Sequence, residues 1–445
     1  MLPGYIAKAV PNPPSKRAPW YVNTAPSYAG VFLWIAFYAQ IGKDTLPYAG
    51  LGVCLAGIAV AAVLSYAFYY YVPAMLGMKT GYPLYVIGSS TFGTRGGYAM
   101  PGLLMGLLQI GWFAVGTFFA ARFVLNGFGS SAGPGSVPFI LAGVLWGYAM
   151  AWIGVMGIQY VARMALFLNA IPVLMIVLVF LQVRGGIPSY APDPAVFHPF
   201  VAFTMLIQIV IGFFATAGAA GADFGMNSRH AGDVRKGGLV GIVLAILFAA
   251  GLPLASLAGA RVLFPEKMAV LTYDNVIAAI GGPLATAMFF LFTIASIPSA
   301  CFCAFIASNS FSTMIPGVKR GSSTMLAVTV AIVLAVTGAA ENLIGFFTIV
   351  GASFGPICGA MAADYLLSGR RWAGPREGIN PAGYGAWALG FLVGILPFLP
   401  LPATVKMYAQ PAVVYSFATG FLVYAVLAKA GFEPKPAALP AGAGK

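Results

Sequence analysis

Residues 199–221 read PFVAFTMLIQIVIGFFATAGAAG, from Pro199 to Gly221, without one charged side chain. A helix needs roughly 20 mostly apolar residues to cross a bilayer, and this stretch is long enough. It is apolar all round, as a helix in lipid or deep in a bundle must be. A barrel strand would instead be about ten residues of alternating polarity. The last ten residues, Gly212 to Gly221, carry a second message. They are so rich in small residues that an interruption of the helix is expected there, the plainer account being a glycine-rich packing face. Irregular backbone at membrane depth is tolerated where it meets protein or a water-filled cavity. Transporters use it to present backbone groups to substrate and ion.

Working outward, about twelve such apolar runs occur in the 445 residues, centred near Trp34, Val60, Leu108, Val144, Ile171, Ile209, Ile246, Phe289, Val330, Val350, Phe391 and Leu422. Hydrophobic types make up 60% of the chain and charged types 7%, against roughly a quarter charged in a soluble domain. The fold class is therefore an all-α polytopic membrane protein. The first run begins near Ala25, after a tail with Pro11, Pro13, Pro14, Lys16 and Arg17. That tail lacks the layout of a signal peptide, so the first helix is expected to stay in the mature chain. Met1–Asn23 and Gly431–Lys445, rich in Pro and Ala, are expected to be disordered. The longest polar stretch, Asp223 to Gly238, reads as a cytoplasmic loop, and Arg261 to Asp274 as an external connection.

The formal charge of +13 could suggest a nucleic-acid partner, but its placement argues for topology. With the N-terminus inside and twelve crossings, seventeen of the 23 Lys and Arg, among them Arg163 and Lys445, fall on the N-terminal side. The other six are Lys43, Arg122, Arg184, Arg261, Lys267 and Lys406. This is the positive-inside bias and puts both termini in the cytoplasm. A helical bundle of this kind fits a bacterial inner membrane best, with the lipid bilayer as its partner and no nucleic acid.

Several chemistries are disfavoured. The four cysteines, Cys54, Cys301, Cys303 and Cys358, sit in apolar runs without metal or redox spacing, and His198 and His230 are the only histidines. Asp44, Asp223, Asp274, Glu341 and Asp364 fall near run ends, which argues against a mid-membrane carboxylate relay. Gly351-Ala352-Ser353-Phe354-Gly355 spells a nucleophile elbow, but that device needs a strand before and a helix after. An intramembrane serine hydrolase using Ser353 is thus a remote alternative, and the chain does not read as an enzyme.

The residues that could bind a solute suit a planar ring, which needs flat walls and a few hydrogen-bond partners at its edge. Gln109 and Trp112, three apart, share one helix face. Phe214 lies within the glycine-rich run with Thr216 two residues on. A second interruption is expected over Ala295-Ser296-Ile297-Pro298-Ser299-Ala300, the plainer account being a proline kink, and Ser296 and Ser299 flank its Pro298. Gln40, Gln208 and Asn309 are further polar residues in or near helices.

Four stretches resemble the nucleobase–cation symporter-1 family, which includes bacterial cytosine and hydantoin permeases. They are GMKTGYPLYVIGSSTFGTRGG (Gly77–Gly97), QIGWF (Gln109–Phe113), Gly212 to Phe224 with its ending Gly221-Ala222-Asp223-Phe224, and Gly355-Pro356 through Ala363-Asp364-Tyr365. The resemblance implies a LeuT-type 5+5 inverted repeat plus two C-terminal helices: a cytoplasmic tail over 1–24, repeats over 25–185 and 198–370, the last two helices over 383–430, and a cytoplasmic tail over 431–445. It implies a secondary transporter that imports a cytosine-, purine- or hydantoin-like heterocycle by cation symport with alternating access, working as a monomer. Trp112 would stack on one face of the base and Phe214 on the other. Thr216, or backbone near Phe213, would bond its edge, with Gln109 in support. Sodium would lie between Gly30, Leu33, Ser296 and Ser299. Where the family usually has asparagines in its eighth helix, this chain has Pro298-Ser299-Ala300-Cys301-Phe302-Cys303, so Ser299 and Cys301 take their place among the substrate residues. Because sulfur is a poor Na⁺ ligand, proton coupling stays open, as does a different solute (a vitamin precursor, amino acid or osmolyte) on the same fold.

The charge placement makes a direct prediction. A fluorescent protein fused after Lys445 folds and fluoresces in cells, and alkaline phosphatase at the same point is inactive. The reverse pattern would place the C-terminus outside.

Overall fold

The protein is described by a computed structural model, over residues 2–156 and 167–438; Arg163 and Lys445 lie outside the described residues. Hydrocarbon offers no hydrogen-bond partner, so the apolar runs satisfy their backbone internally as helices. The spans are α1, in two halves (Thr24–Phe32 and Ile35–Ile41), α2 (Leu51–Thr80), α3 (Leu104–Gly127), α4 (Val137–Met156), α5 (Ala170–Val183), α6 (Pro199–Ala219) and α7 (Ala231–Leu263). They continue with α8 (Gly282–Met314), α9 (Arg320–Val336), α10 (Leu343–Leu367), α11 (Pro381–Gly394) and α12 (Ala412–Lys429). Among the described residues nine helices are long and apolar enough to cross a membrane. The two halves of α1, α9 and α11 occupy the other three of the twelve runs.

The expected break in the glycine-rich run is not there. α6 is helical from Pro199 to Ala219 and ends at Ala220. No proline removes an N–H within the run, so the ladder continues. The small residues instead admit neighbours: a Cβ on Gly212 would sit 2.6 Å from the Phe347 carbonyl oxygen, and one on Gly218 2.5 Å from Tyr69 Cβ. The broken helix is α1. Leu33 (φ −75°, ψ 0°) and the extended Trp34 (φ −77°, ψ 128°) separate its halves. A second break falls at Ser296, between Gly282–Ala295 and Ile297–Met314 of α8, where Pro298 opens the new helix. Having no N–H, Pro298 leaves the Ile294 carbonyl without its helical donor.

Both described termini lie at one end of the bundle, as an even number of crossings requires. Residues 2–24 are not loose. Tyr5 donates to the Thr94 carbonyl (2.9 Å), Asn12 to the Met226 carbonyl (3.1 Å), and Arg17 to the Met78 carbonyl (2.7 Å). The polar stretch Asp223–Gly238 is not a loop throughout either, since Gly221–Gly225 is a short helix and α7 starts at Ala231.

A buried ion network holds this end together. Arg376 meets Asp364 at 3.0 Å and Glu433 at 2.8 Å. Asp364 accepts from the hydroxyls of Ser90 (2.7 Å) and Thr91 (2.9 Å), and Glu433 from Tyr424 (2.6 Å). The C-terminal segment is thereby tied to α10, α12 and the connection between α2 and α3. Removing one partner from a buried pair costs about 3–5 kcal/mol, because the other charge is left unpaired. Arg376→Met is therefore expected to lower the thermal unfolding midpoint sharply in detergent, while replacement of the exposed Lys8 by Met changes it little. Equal midpoints would remove the network from the account.

Candidate functional site

A cavity of about 110 Å³ lies between the break of α1 and the middles of α3, α6 and α8. Its α1 wall is made of Asn23, Ser27, Gly30 and Trp34. Ser27 and Gly30, three apart in the first half, share a helix face, while Asn23 precedes that half and Trp34 comes in from the extended break. Trp112 and Gln109 come from α3, Phe213 and Thr216 from α6, and Ser299, Phe302 and Cys303 from α8. The wall is apolar with a few polar groups, the usual make-up of a small-molecule site. Among the described residues no charged side chain lines it.

Trp112 is fixed from several directions. Its indole N–H donates to Thr216 Oγ1 at 3.1 Å. One face lies on Phe347 (centroids 5.4 Å apart, planes at 29°), and Phe213 and Phe346 meet it edge-on at 4.8 and 4.9 Å. Trp34, at the break, tilts against it at 5.8 Å. Glycine lets these rings approach α3. A Cβ on Gly111 would meet Phe346 Cε2 at 2.3 Å, and one on Gly116 would meet Trp34 Cζ2 at 2.9 Å.

Helix geometry sorts the residues read from the sequence. Successive residues turn by about 100°, so Phe213 and Thr216 share a face and Phe214 does not. Phe214 packs instead on Phe32 (5.2 Å, 29°) and Tyr28 (5.6 Å). Likewise Ser299, Phe302 and Cys303 share a face, while Cys301 points its thiol at Met150 (Sγ to carbonyl 3.6 Å). The structure therefore brings Gln109, Trp112, Phe213, Thr216 and Ser299 to the cavity, and not Phe214 or Cys301. Gln109 makes a weak contact, Nε2 to Met105 Sδ at 3.7 Å, and its buried Oε1 has no partner among the described residues.

Of the residues suggested for sodium, Gly30 and Ser299 line the cavity, and Leu33 and Ser296 stand at the breaks of α1 and α8. The Ser296 hydroxyl donates to the Thr293 carbonyl at 2.7 Å. Asn169, just before α5, holds this part of α1: its Nδ2 donates to the Pro26 carbonyl at 2.8 Å, and its Oδ1 would lie 2.9 Å from a Cβ on Gly30.

Trp34, Asn23, Ser27, Phe302 and Asn169 were not singled out in the sequence. The spacing of Ser27 and Gly30 was a readable signal, while Trp34 reaches the cavity only through the break. The break itself was not, since neither Leu33 nor Trp34 is a helix breaker.

At the end bearing the termini, a larger vestibule of about 900 Å³ adjoins the cavity, with Lys8, Tyr85, Asp223 and Asn309 in its wall. Asp223 lies beyond the end of α6, near Tyr28 and Tyr85. Burial pushes its carboxyl up to about 7, against backbone N–H donation at Leu84 and at Asp223 itself. Ser353 lies inside α10 and donates to the Ile349 carbonyl of its own helix at 2.7 Å, so the strand–turn–helix of an elbow is absent there.

Solved structures similar in fold are membrane transporters. Mhp1, a nucleobase-cation-symport-1 family transporter in a closed conformation with bromovinylhydantoin bound, superposes with a TM-score of 0.73 at 15% identity, covering 96% of this chain and 95% of that one. Its inward-facing conformation gives 0.66 at 14% identity. A substrate-bound, outward-open Na⁺-coupled sialic acid symporter gives 0.60 at 13%, covering 98% and 93%. The fold is thus that of the LeuT-type transporters, with its inverted five-helix repeats and two further helices. Over residues 10–423 the chain matches the family model described as permease for cytosine/purines, uracil, thiamine, allantoin. The chain belongs to that permease family, which is one of transporters and not of enzymes. The cytosine permeases of Escherichia coli K12 and O157:H7 are each 28% identical over 297 residues, a match that spans 67% of this chain and 66% of theirs.

The Trp112–Thr216 bond generates a prediction. Thr216→Val keeps the shape and leaves a buried indole N–H unpaired, at a cost of about 1–3 kcal/mol. The unfolding midpoint is expected to fall in Thr216→Val and to hold in Thr216→Ser. Equal midpoints in both would mean that the bond does not position the ring.

Proposed function

We propose that this protein imports a neutral planar heterocycle of the nucleobase or hydantoin kind across the cytoplasmic membrane, by cation symport with alternating access. The observation that carries this reading is a cavity walled by Trp34, Trp112 and Phe213, with no charged side chain among the described residues that line it, beside a broken α1. Rings at several angles give a flat solute stacking and edge contacts. Gln109 Oε1, buried without a partner among the described residues, is an acceptor for a ring N–H. An amino acid or carboxylate would need a charge partner at this depth. In this reading the base lies against Trp112 and Phe213, its edge toward Gln109, Thr216 and Ser299. The protein works as a monomer with both termini in the cytoplasm, the end that carries the basic side chains.

For the coupling ion we propose Na⁺ between α1 and α8. Carbonyls of Gly30 and Leu33 and hydroxyls of Ser296 and Ser299 would supply hard oxygen donors, the kind a group 1 cation prefers. One observation favours a proton instead: Asp223 lines the vestibule with its carboxyl pushed up to about 7, so it changes charge near neutral pH.

Thermal unfolding of purified protein against purines, pyrimidines, hydantoins and amino acids, in Na⁺ and in K⁺, tests both points. A ligand at a hundred times its dissociation constant stabilises by about 2.7 kcal/mol. One heterocycle is expected to raise the midpoint, more in Na⁺ than in K⁺ at equal pH. Equal shifts in both salts, with a pH dependence lost in Asp223→Asn, would assign the coupling to protons. No shift with any ring compound would remove the heterocycle assignment.

A further inference from the structure

Three residues belong to the walls of both the central cavity and the vestibule: Asn23, Phe224 and Phe302. Phe224 follows the end of α6, on the short helix Gly221–Gly225, and Phe302 is in the second part of α8. Their rings lie 6.2 Å apart at 23°, close to parallel. Phe224 is backed by Tyr28 of α1, 4.6 Å away. Neither ring is fully buried, as expected of side chains that face open space on two sides. Asn23, just before α1, has its buried Nδ2 without a partner among the described residues.

We propose that Phe224 and Phe302 form the inner door, the pair that separates the substrate cavity from the vestibule and must part for the solute to leave toward the cytoplasm. The door spans two elements that end or kink nearby. α6 stops at Ala220 and α8 breaks at Ser296. Both rings can therefore turn away without disturbing the middle of either helix. While closed, the pair offers an apolar lid to the solute. The Asn23 amide gives the ring edge a hydrogen-bond donor as it passes, so the solute need not cross the constriction with every polar group bare. An aromatic pair suits a planar cargo because a flat ring can slide between two faces, whereas a bulky solute would need the whole interface to open. The name of the cargo and the cytoplasmic side of the door rest on the function proposed above; the aromatic pair between cavity and vestibule does not.

Cys303 lines the cavity on the far side of the door from the vestibule and serves as a reporter. In a background of Cys54→Ala, Cys301→Ala and Cys358→Ala, inside-out vesicles are treated with a membrane-impermeant, quaternary-ammonium methanethiosulfonate. Labelling of Cys303 is expected to be at least tenfold faster in Phe302→Ala and Phe224→Ala than in the background, and slower in Phe302→Trp. Labelling from the outer face should not rise in step. Should the alanine variants misfold, Phe302→Leu and Phe302→Trp, compared at equal surface expression, carry the same test in two directions. Rates that do not change in any of these variants would overturn the door. The assay uses no solute, so its failure is distinct from a failure to bind heterocycles.

Discussion

Hydrocarbon leaves an unbonded peptide group nowhere to turn, so a transmembrane helix can open only where protein or enclosed water takes over its hydrogen bonding. The break of α1 at Leu33–Trp34 is the place on which the rest of this structure depends. Around it stand α3, α6 and α8, with Trp112 braced by Thr216 and by rings from α6 and α10. Asn169, just before α5, reaches the Pro26 carbonyl and fixes the first half of α1. The cavity is what remains when the two halves of α1 are held apart by these contacts.

Two parts of the molecule divide the labour. The centre is aromatic, and no charged side chain lines it among the described residues. Charges are held away from it. Arg376, Asp364 and Glu433 lock the end that carries the termini, and Arg122 with Asp274 (3.2 Å) ties α3 to the helix Tyr273–Ile280 at the other. Gln208 adds a buried tie, accepting from the Val413 N–H at 3.0 Å, between α6 and α12. The ion pairs thus sit toward the ends of the bundle, and rings line the cavity between them.

Much of this was legible in the sequence. Run length and the scarcity of charge called for a helical membrane bundle, and the placement of Lys and Arg agreed with an even number of crossings. Gln109, Trp112, Thr216 and Ser299 stood out as polar or flat groups within apolar runs, and all reach the cavity. The choice between Phe213 and Phe214 was beyond it, because a one-residue shift turns a side chain by about 100° and both are aromatic. The glycines of α6 looked like breakers but serve close packing against Phe347 and Tyr69. The break of α8 at Ser296 is marked by Pro298 and was legible, whereas that of α1, at Leu33 and Trp34, has no breaker residue. The N-terminal segment read as loose from its prolines, yet Tyr5, Asn12 and Arg17 anchor it to distant backbone carbonyls.

The central claim is that a neutral heterocycle is carried, not merely bound, and counterflow measures carriage. Purified protein in liposomes is loaded with unlabelled cytosine, uracil or hydantoin and diluted into trace amounts of the same compound labelled. The account predicts a transient accumulation of label above equilibrium for at least one ring compound, and none when the vesicles hold an amino acid. Accumulation driven by an amino acid and by no heterocycle would contradict it.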